Sequence, residues 1–266
     1  MVSASLTREL WRMRGVEALR WALVLAWVAF WMGVITGTWR VRGGNWLWAG
    51  GFSLLALAVA AGWTRWRRER LLREAALPQF LKRKLRETYP QLAQKDADLV
   101  ERGLRQFFLA CLRSRGRFVA MPSRAVDAMW HEFILHTRAY DVWCRVTLGR
   151  FLHHTPAEAL GGDARRNDGL RRAWYWSCRD EAIDLRAPTR LPLLFAIDAK
   201  LGIDGGFQYA PDCSGAGFGR TDGNGTVHCA SSFSDGSHSG DADGFGGADS
   251  SSGSGGPDGD GGCGGD

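Results

Sequence analysis

Two uncharged apolar segments near the N-terminus constrain this chain more than any other feature. Trp21–Trp39 contains 19 residues and Gly43–Thr64 contains 22, and neither includes an ionisable side chain. A helix rises ~1.5 Å per residue, so each segment is long enough to cross a hydrocarbon layer of ~30 Å. Only residues 40–42 separate the two segments. The pattern therefore predicts a two-helix transmembrane hairpin over residues 21–64, with spans at 21–39 and 43–64.

The charges that flank this hairpin predict its orientation. Only two arginines lie in the connecting turn, whereas more lie outside it, at Arg8, Arg12, Arg14, Arg20, Arg65, Arg67, Arg68, Arg70 and Arg73. Basic residues are retained on the cytoplasmic side of a membrane, so we expect both termini to be cytoplasmic. Residues 1–20 are then a cytoplasmic flank. The chain is expected to be an integral protein of the cell or inner membrane, with the lipid bilayer as a partner.

The C-terminal segment, residues 202–266, differs sharply in composition from the rest of the chain. It contains 21 glycines, and its ten aspartates and one arginine give it a net charge of −9, against +15 for residues 1–201. Such a segment buries too little apolar surface to offset its conformational entropy, which predicts a disordered Gly/Ser/Asp-rich tail. An acidic tail can screen the basic part of the chain or compete with an acidic partner for it.

Between the hairpin and the tail, residues 76–201 carry the pattern of one all-α domain. Apolar residues recur at helical spacing, and Ser123 and Gly149 are a typical N-cap and a typical helix stop. No alternation typical of strands is present. The predicted helices are Lys95–Arg113, Arg124–Leu148, Asp163–Asp184 and Leu193–Leu201.

The second of these helices has an apolar face with several aromatic residues. With 100° of rotation per residue, one face of this helix carries Val126, Trp130, Phe133, Thr137, Tyr140, Cys144 and Leu148. His131 lies off this face, and Asp127 is one turn before it. We expect the Asp127 carboxylate to accept a hydrogen bond from the His131 imidazole.

The segment Pro122–Pro156 resembles the glycine-rich domain-containing protein-like family, whose plant members have a Trp-His-x-His pattern followed by Tyr, a Cys or polar residue, Gly and His-Asp. The chain departs from that pattern at Phe133 and His154, and its WHxFxLxTRxY and FLHH strings are closer to the bacterial branch. The resemblance implies a Gly-rich C-terminus and no established catalytic activity. The matching positions are Asp127, Trp130, His131, Tyr140, Cys144, Gly149 and His153.

The histidines also permit a metal-site hypothesis. A carboxylate and an imidazole at i and i+4 can bind one ion from a single helix face, and Asp127 and His131 have this spacing. His153 and His154 follow the helix and could complete a site for zinc or another divalent metal. The alternative is structural: Trp130 and His131 anchor the fold, while the two later histidines bond to the helix end. A nucleophile formed by Cys144 and either histidine is the weakest of the three interpretations, because nothing in the sequence lowers the pKa of that thiol.

These observations favour a membrane-anchored protein-interaction module over an enzyme, with no catalytic residue and no cofactor assigned. The protein partner is not identified by the sequence. The alternative function is a metal-binding protein or a metal-dependent enzyme that uses Asp127, His131, His153 and His154. Nucleic acid is not expected as a partner, because the excess of 30 arginines over 4 lysines is the only feature that points to it.

Overall fold

The computed structural model describes residues 4–38, 45–154, 163–185, 187–211 and 227–229. This part of the chain is mostly helical and has very little strand, which confirms the all-α prediction. The helices are α1 (Ala4–Ile35), α2 (Asn45–Glu74), α3 (Phe80–Thr88), α4 (Gln94–Arg113), α5 (Arg124–Leu135), α6 (Thr137–Thr147), α7 (Asp163–Asp180) and α8 (Leu193–Leu201), and the strands are β1 (Gln208–Ala210) and β2 (Val227–Cys229).

The first two helices pack side by side in opposite directions. Near one end of the pair, a Cβ on Gly50 would stand 3.1 Å from the Trp31 ring. Near the other end, Arg68 contacts the Glu17 carboxylate at 2.5 Å. Small residues such as Gly50 allow this close approach between helices.

The structure supports one membrane-spanning candidate among its described residues. Glu17–Ile35 is long and apolar enough to cross a bilayer, and none of it is buried inside the protein. Within the described residues α2 supplies no second candidate, so the predicted two-span hairpin is not confirmed. The first predicted span also ends early, since Thr36–Thr38 form a turn and Trp39 lies outside the described residues.

Helix α4 lies at the centre of the helical domain and packs against α2, α3, α5, α7 and α8. Its buried residues are mostly apolar, and Phe107 and Phe108 contact the Trp130 ring of α5. A Cβ on Gly103 would stand 3.0 Å from Val126 and 3.3 Å from Ile197. Glycine at this position therefore lets α5 and α8 approach α4 closely.

The core of the helical domain, predicted over residues 76–201, includes a residue of α2 that precedes residue 76. Helix α2 continues without a break through the arginine-rich segment, and Leu72 near its end is fully buried in the domain core. The two parts are thus joined by one continuous helix rather than by a linker.

The predicted helix Arg124–Leu148 is divided into α5 and α6 at His136. The His136 backbone (φ −89°, ψ 58°) leaves the helical region, and its ring stacks on Phe80 of α3 with 3.9 Å between ring centroids. The same ring contacts the Glu132 carbonyl through Nδ1 at 3.0 Å, so side-chain contacts of His136 accompany a break that the periodicity does not predict. Most of the predicted apolar face is buried on both sides of the break, but Thr137 is exposed.

A buried carboxylate joins α8 to the start of α5. Asp198 is 2% exposed and accepts hydrogen bonds from the Ser123 hydroxyl at 2.6 Å and from the backbone N–H groups of Arg124, Ala125 and Phe207 at 2.7, 3.2 and 3.1 Å. Ser123 also caps α5, as predicted, by accepting a bond from the third residue along. A carboxylate at a helix N-terminus is stabilised by the free N–H groups and the helix dipole.

The ordered chain continues beyond residue 201, where the sequence predicts that a disordered tail begins. Tyr209 of β1 is 8% exposed and packs on Phe195, and β1 pairs in parallel with β2. The disorder prediction is therefore wrong for residues 202–211 and 227–229. The other residues of that segment, 212–226 and 230–266, lie outside the described part of the structure.

Candidate metal centre

The Asp127 and His131 side chains project from the first two turns of α5, on the side away from the core. Asp127 is 31% exposed and His131 is 52% exposed, and the Asp127 Oδ2 to His131 Nδ1 distance is 3.4 Å. The one-turn spacing in the sequence brings these two groups together, as expected. The cap at Ser123 and Asp198 fixes the start of the helix that carries them.

His154 is brought to the same place by a buried hydrogen-bond relay. Trp130 Nε1 donates to the Tyr140 hydroxyl at 3.0 Å, and that hydroxyl donates to the Leu152 carbonyl at 2.7 Å. The relay ties the segment after α6 to α5. Two residues beyond Leu152, the His154 ring packs on Trp130 with 4.7 Å between centroids.

These three side chains form a compact set of possible metal ligands. His154 Nε2 lies 3.2 Å from Asp127 Oδ1, and one ligand atom from each of Asp127, His131 and His154 lies within 4.8 Å of the others. Two nitrogen or oxygen ligands bound at ~2.1 Å to one ion are roughly 3.0–3.5 Å apart. The two carboxylate–imidazole distances fall in this range, so a small movement of the two rings would close the site on an ion.

His153 and Cys144, the other two residues predicted as functional candidates, lie apart from this set. His153 is exposed and packs on Phe151, with 4.8 Å between centroids, and it is not in the compact group. Cys144 is fully buried, and burial raises the pKa of its thiol to about 11. A thiol of this kind is almost entirely protonated near neutral pH, which argues against the Cys144 nucleophile.

The other residues of the sequence motif contribute to the fold rather than to the set of possible ligands. Trp130 and Tyr140 are buried and form the relay, and Gly149 adopts φ +77° immediately after α6. The helix stop predicted at Gly149 is thus confirmed by a left-handed backbone conformation that favours glycine. The Tyr140–Leu152 bond, which positions His154, was missed by sequence reasoning because its acceptor is a backbone carbonyl and leaves no signature in the residue types.

A cavity of about 200 Å³ adjoins the metal centre. His154 of the candidate site and Trp130, on which it packs, line this cavity together with Phe118, Arg117 and Arg150. An ion held by three protein ligands at a half-exposed position keeps at least one coordination position for water or a small ligand.

Comparison with known proteins identifies the family of the chain. A family model described as UCP032817-like matches residues 67–233, which is more than half of the sequence and includes all three candidate ligands. No curated protein and no solved structure matches the chain. The resemblance to the glycine-rich domain-containing protein-like family is therefore wrong: it depended on about 35 residues around one helix, where the aromatic and small residues serve core packing. The chain belongs to the UCP032817-like family.

Proposed function

We propose that this protein is an integral membrane protein whose cytoplasmic helical domain binds a divalent transition-metal ion. The observation that carries the metal assignment is the convergence of Asp127, His131 and His154 from two different parts of the chain. Two imidazoles and one carboxylate are the ligand set of several zinc enzymes and of the non-haem iron(II) facial triad. Zinc and iron(II) are therefore the ions that the ligands favour.

The two exposed apolar helices support the membrane part of the proposal. Leu25 of α1 and Phe52 of α2 are 65% and 66% exposed, and other large apolar side chains on both helices are exposed by more than 40%. Water is a poor solvent for such a surface, and the hydrocarbon of a bilayer would cover it. The antiparallel packing of α1 and α2 and the basic flanks fit two crossings with both termini in the cytoplasm.

Metal analysis of the purified full-length protein in detergent tests the metal assignment. After equilibration with zinc and gel filtration, we expect the wild-type protein to retain one ion more than His131→Ala. His153→Ala is the matched control, because it removes a neighbouring exposed imidazole that is not in the set, and it should retain the wild-type content. Equal zinc in all three proteins, or loss only from the His153→Ala variant, would reject the site.

The membrane assignment has its own test. Alkaline carbonate extracts peripheral proteins from membranes and leaves integral ones in the pellet, so the protein should remain in the pellet. Protease added outside intact cells should leave the C-terminal domain undigested. Extraction into the supernatant would contradict membrane insertion, and digestion of that domain would contradict the orientation.

A second candidate function is the binding of an acidic protein segment. In this case the helical domain is the protein-interaction module that the sequence favours. A groove of about 650 Å³ between α4, α7 and α8 combines leucines with five basic side chains and two acidic ones, Asp180 and Glu181. Arg102 and Lys200 on its walls are exposed and have no partner among the described residues. Copurification from solubilised membranes should recover an acidic partner with the wild-type protein and lose it with Arg102→Gln/Lys200→Gln. Recovery of the same proteins by both forms would reject this groove as the binding surface.

A further inference from the structure

Another cavity, of about 360 Å³, lies at the junction between the proposed membrane segment and the helical domain. One wall is the part of α2 that includes Ala61 and Thr64, and the opposite wall is formed by two turns, at residues 115–116 and 148–150. The cavity therefore has an apolar helix on one side and domain backbone on the other. Its volume is within the range of small-molecule binding sites.

The charged residues of this cavity are all arginines. Arg65, Arg68, Arg115 and Arg150 line it, and no acidic residue is among its described lining residues. Arg115 and Arg150 are exposed and have no partner among the residues that the structure describes. Arg68 contacts a carboxylate through Nη2, but its Nε is buried without a hydrogen-bond partner. The Arg115 and Arg150 side chains thus offer unused N–H donors to an anion, whereas Arg65 and Arg68 are paired with Glu69 and Glu17.

The backbone of both turns is shaped to hold these side chains close together. Gly149 has φ +77°, and a Cβ at this position would stand only 2.3 Å from Arg68 Nη1. Arg115 has φ +49°, an uncommon conformation for a residue with a side chain, and Gly116 beside it has φ +96°. Uncommon backbone conformations of this kind occur often at ligand sites.

The position of the cavity along α2 matches the headgroup layer of a membrane. Thr64 lies between Trp63 and Trp66, which are 54% and 49% exposed and stack on each other with 5.2 Å between centroids. Tryptophan side chains collect at the membrane–water interface. If the apolar part of α2 is in the bilayer, the four arginines lie at the depth of lipid phosphates.

We propose that this cavity binds the phosphate of an anionic phospholipid headgroup, while the acyl chains of that lipid remain in the bilayer beside α2. Guanidinium groups bind phosphate through paired N–H donors, which explains the choice of arginine. The inference rests on the proposed membrane insertion, since a headgroup reaches the cavity only if α2 enters the bilayer. A free phosphate ion has the same chemistry and is the competing ligand.

Native mass spectrometry of the full-length protein in detergent tests the proposal. The protein is titrated with phosphatidylglycerol or phosphatidylcholine, and the fraction with bound lipid is measured. The test variant is Arg115→Gln/Arg150→Gln, and the control is Arg102→Gln/Lys200→Gln, which removes the same charge from the groove elsewhere on the domain. Each basic residue near an anionic membrane surface strengthens binding to it, and the test variant loses two such residues. It should therefore bind phosphatidylglycerol about tenfold to thirtyfold more weakly.

The expected result is preference for phosphatidylglycerol in the wild type and the control, and loss of that preference in the test variant with an unchanged melting temperature. Equal binding of both lipids by the wild type overturns the proposal. The proposal is also overturned if the control variant loses as much phosphatidylglycerol binding as the test variant. Displacement of phosphatidylglycerol by millimolar inorganic phosphate would assign the site to a soluble anion instead. Carbonate extraction of the same wild-type protein separates the two proposals: retention in the membrane with no lipid preference rejects only the headgroup site.

Discussion

Replacement of Tyr140 by phenylalanine removes one oxygen atom and should weaken both the fold and the metal centre. The Tyr140 hydroxyl is the acceptor for Trp130 Nε1 and the donor to the Leu152 carbonyl. Its loss leaves a buried indole N–H unpaired, at a cost of ~1–3 kcal/mol, and removes a second bond worth ~1 kcal/mol. We therefore expect the free energy of unfolding to fall by about 2 to 4 kcal/mol, which corresponds to a fall in melting temperature on the order of 10 °C.

The same substitution releases the segment that places His154. Mutation of groups that orient a metal ligand weakens binding by roughly 10-fold or more, so zinc affinity should fall by about that factor. The assays are thermal unfolding by near-ultraviolet circular dichroism and competition with a zinc-sensitive dye, both on full-length protein in detergent. Tyr89→Phe is the control, because the Tyr89 hydroxyl has no hydrogen bond among the described residues. Equal melting temperatures for the two variants would refute the relay, and unchanged zinc affinity would refute its role in placing His154.

Three further substitutions or treatments test the fold. Asp198→Ala leaves four donors without their acceptor and should lower the free energy of unfolding by at least ~3 kcal/mol, measured as a lower melting temperature. A fall of less than about 1 °C, which is on the order of experimental error, would contradict the buried cap. Because burial raises the pKa of the Cys144 thiol from about 9 to about 11, the folded state keeps a proton that the unfolded state releases, so stability should fall as pH rises from 9 towards 11. Cys144→Ala should reduce that fall, and an unchanged pH profile would contradict it. Gly149→Ala should lower the melting temperature more than Gly202→Ala, because both glycines have positive φ but only Gly149 lies against another side chain; equal effects would show that no steric clash contributes.

The sequence predicts most of the helical fold because helix periodicity is a local property. Helix α8 and the end of α4 lie where the apolar pattern places them, and α7 ends four residues before the predicted Asp184. The break at His136 lies where its ring contacts Phe80, more than fifty residues earlier, and no local pattern reveals that contact. The ordered residues after 201 were missed for the same reason, since Tyr209 is held by a distant ring of α8.

The candidate site was predicted in part. The pair Asp127 and His131 follows from one-turn spacing on a helix, and the structure brings the two groups together. The sequence does not distinguish His153 from His154, because the choice depends on which way the chain runs after α6. That path is set by the bond from Tyr140 to a backbone carbonyl, and it places His154 on Trp130 while His153 turns outward.

Cobalt(II) substitution of the full-length protein reports directly whether Asp127, His131 and His154 hold a metal ion. Cobalt(II) has visible absorption bands whose intensity reports the coordination number, and thiolate ligands add a strong near-ultraviolet charge-transfer band. We expect visible bands that saturate at one ion per chain, no thiolate band, and loss of the signal in His154→Ala. A thiolate band, a spectrum no different from that of cobalt(II) in water, or the same spectrum in His154→Ala would contradict it.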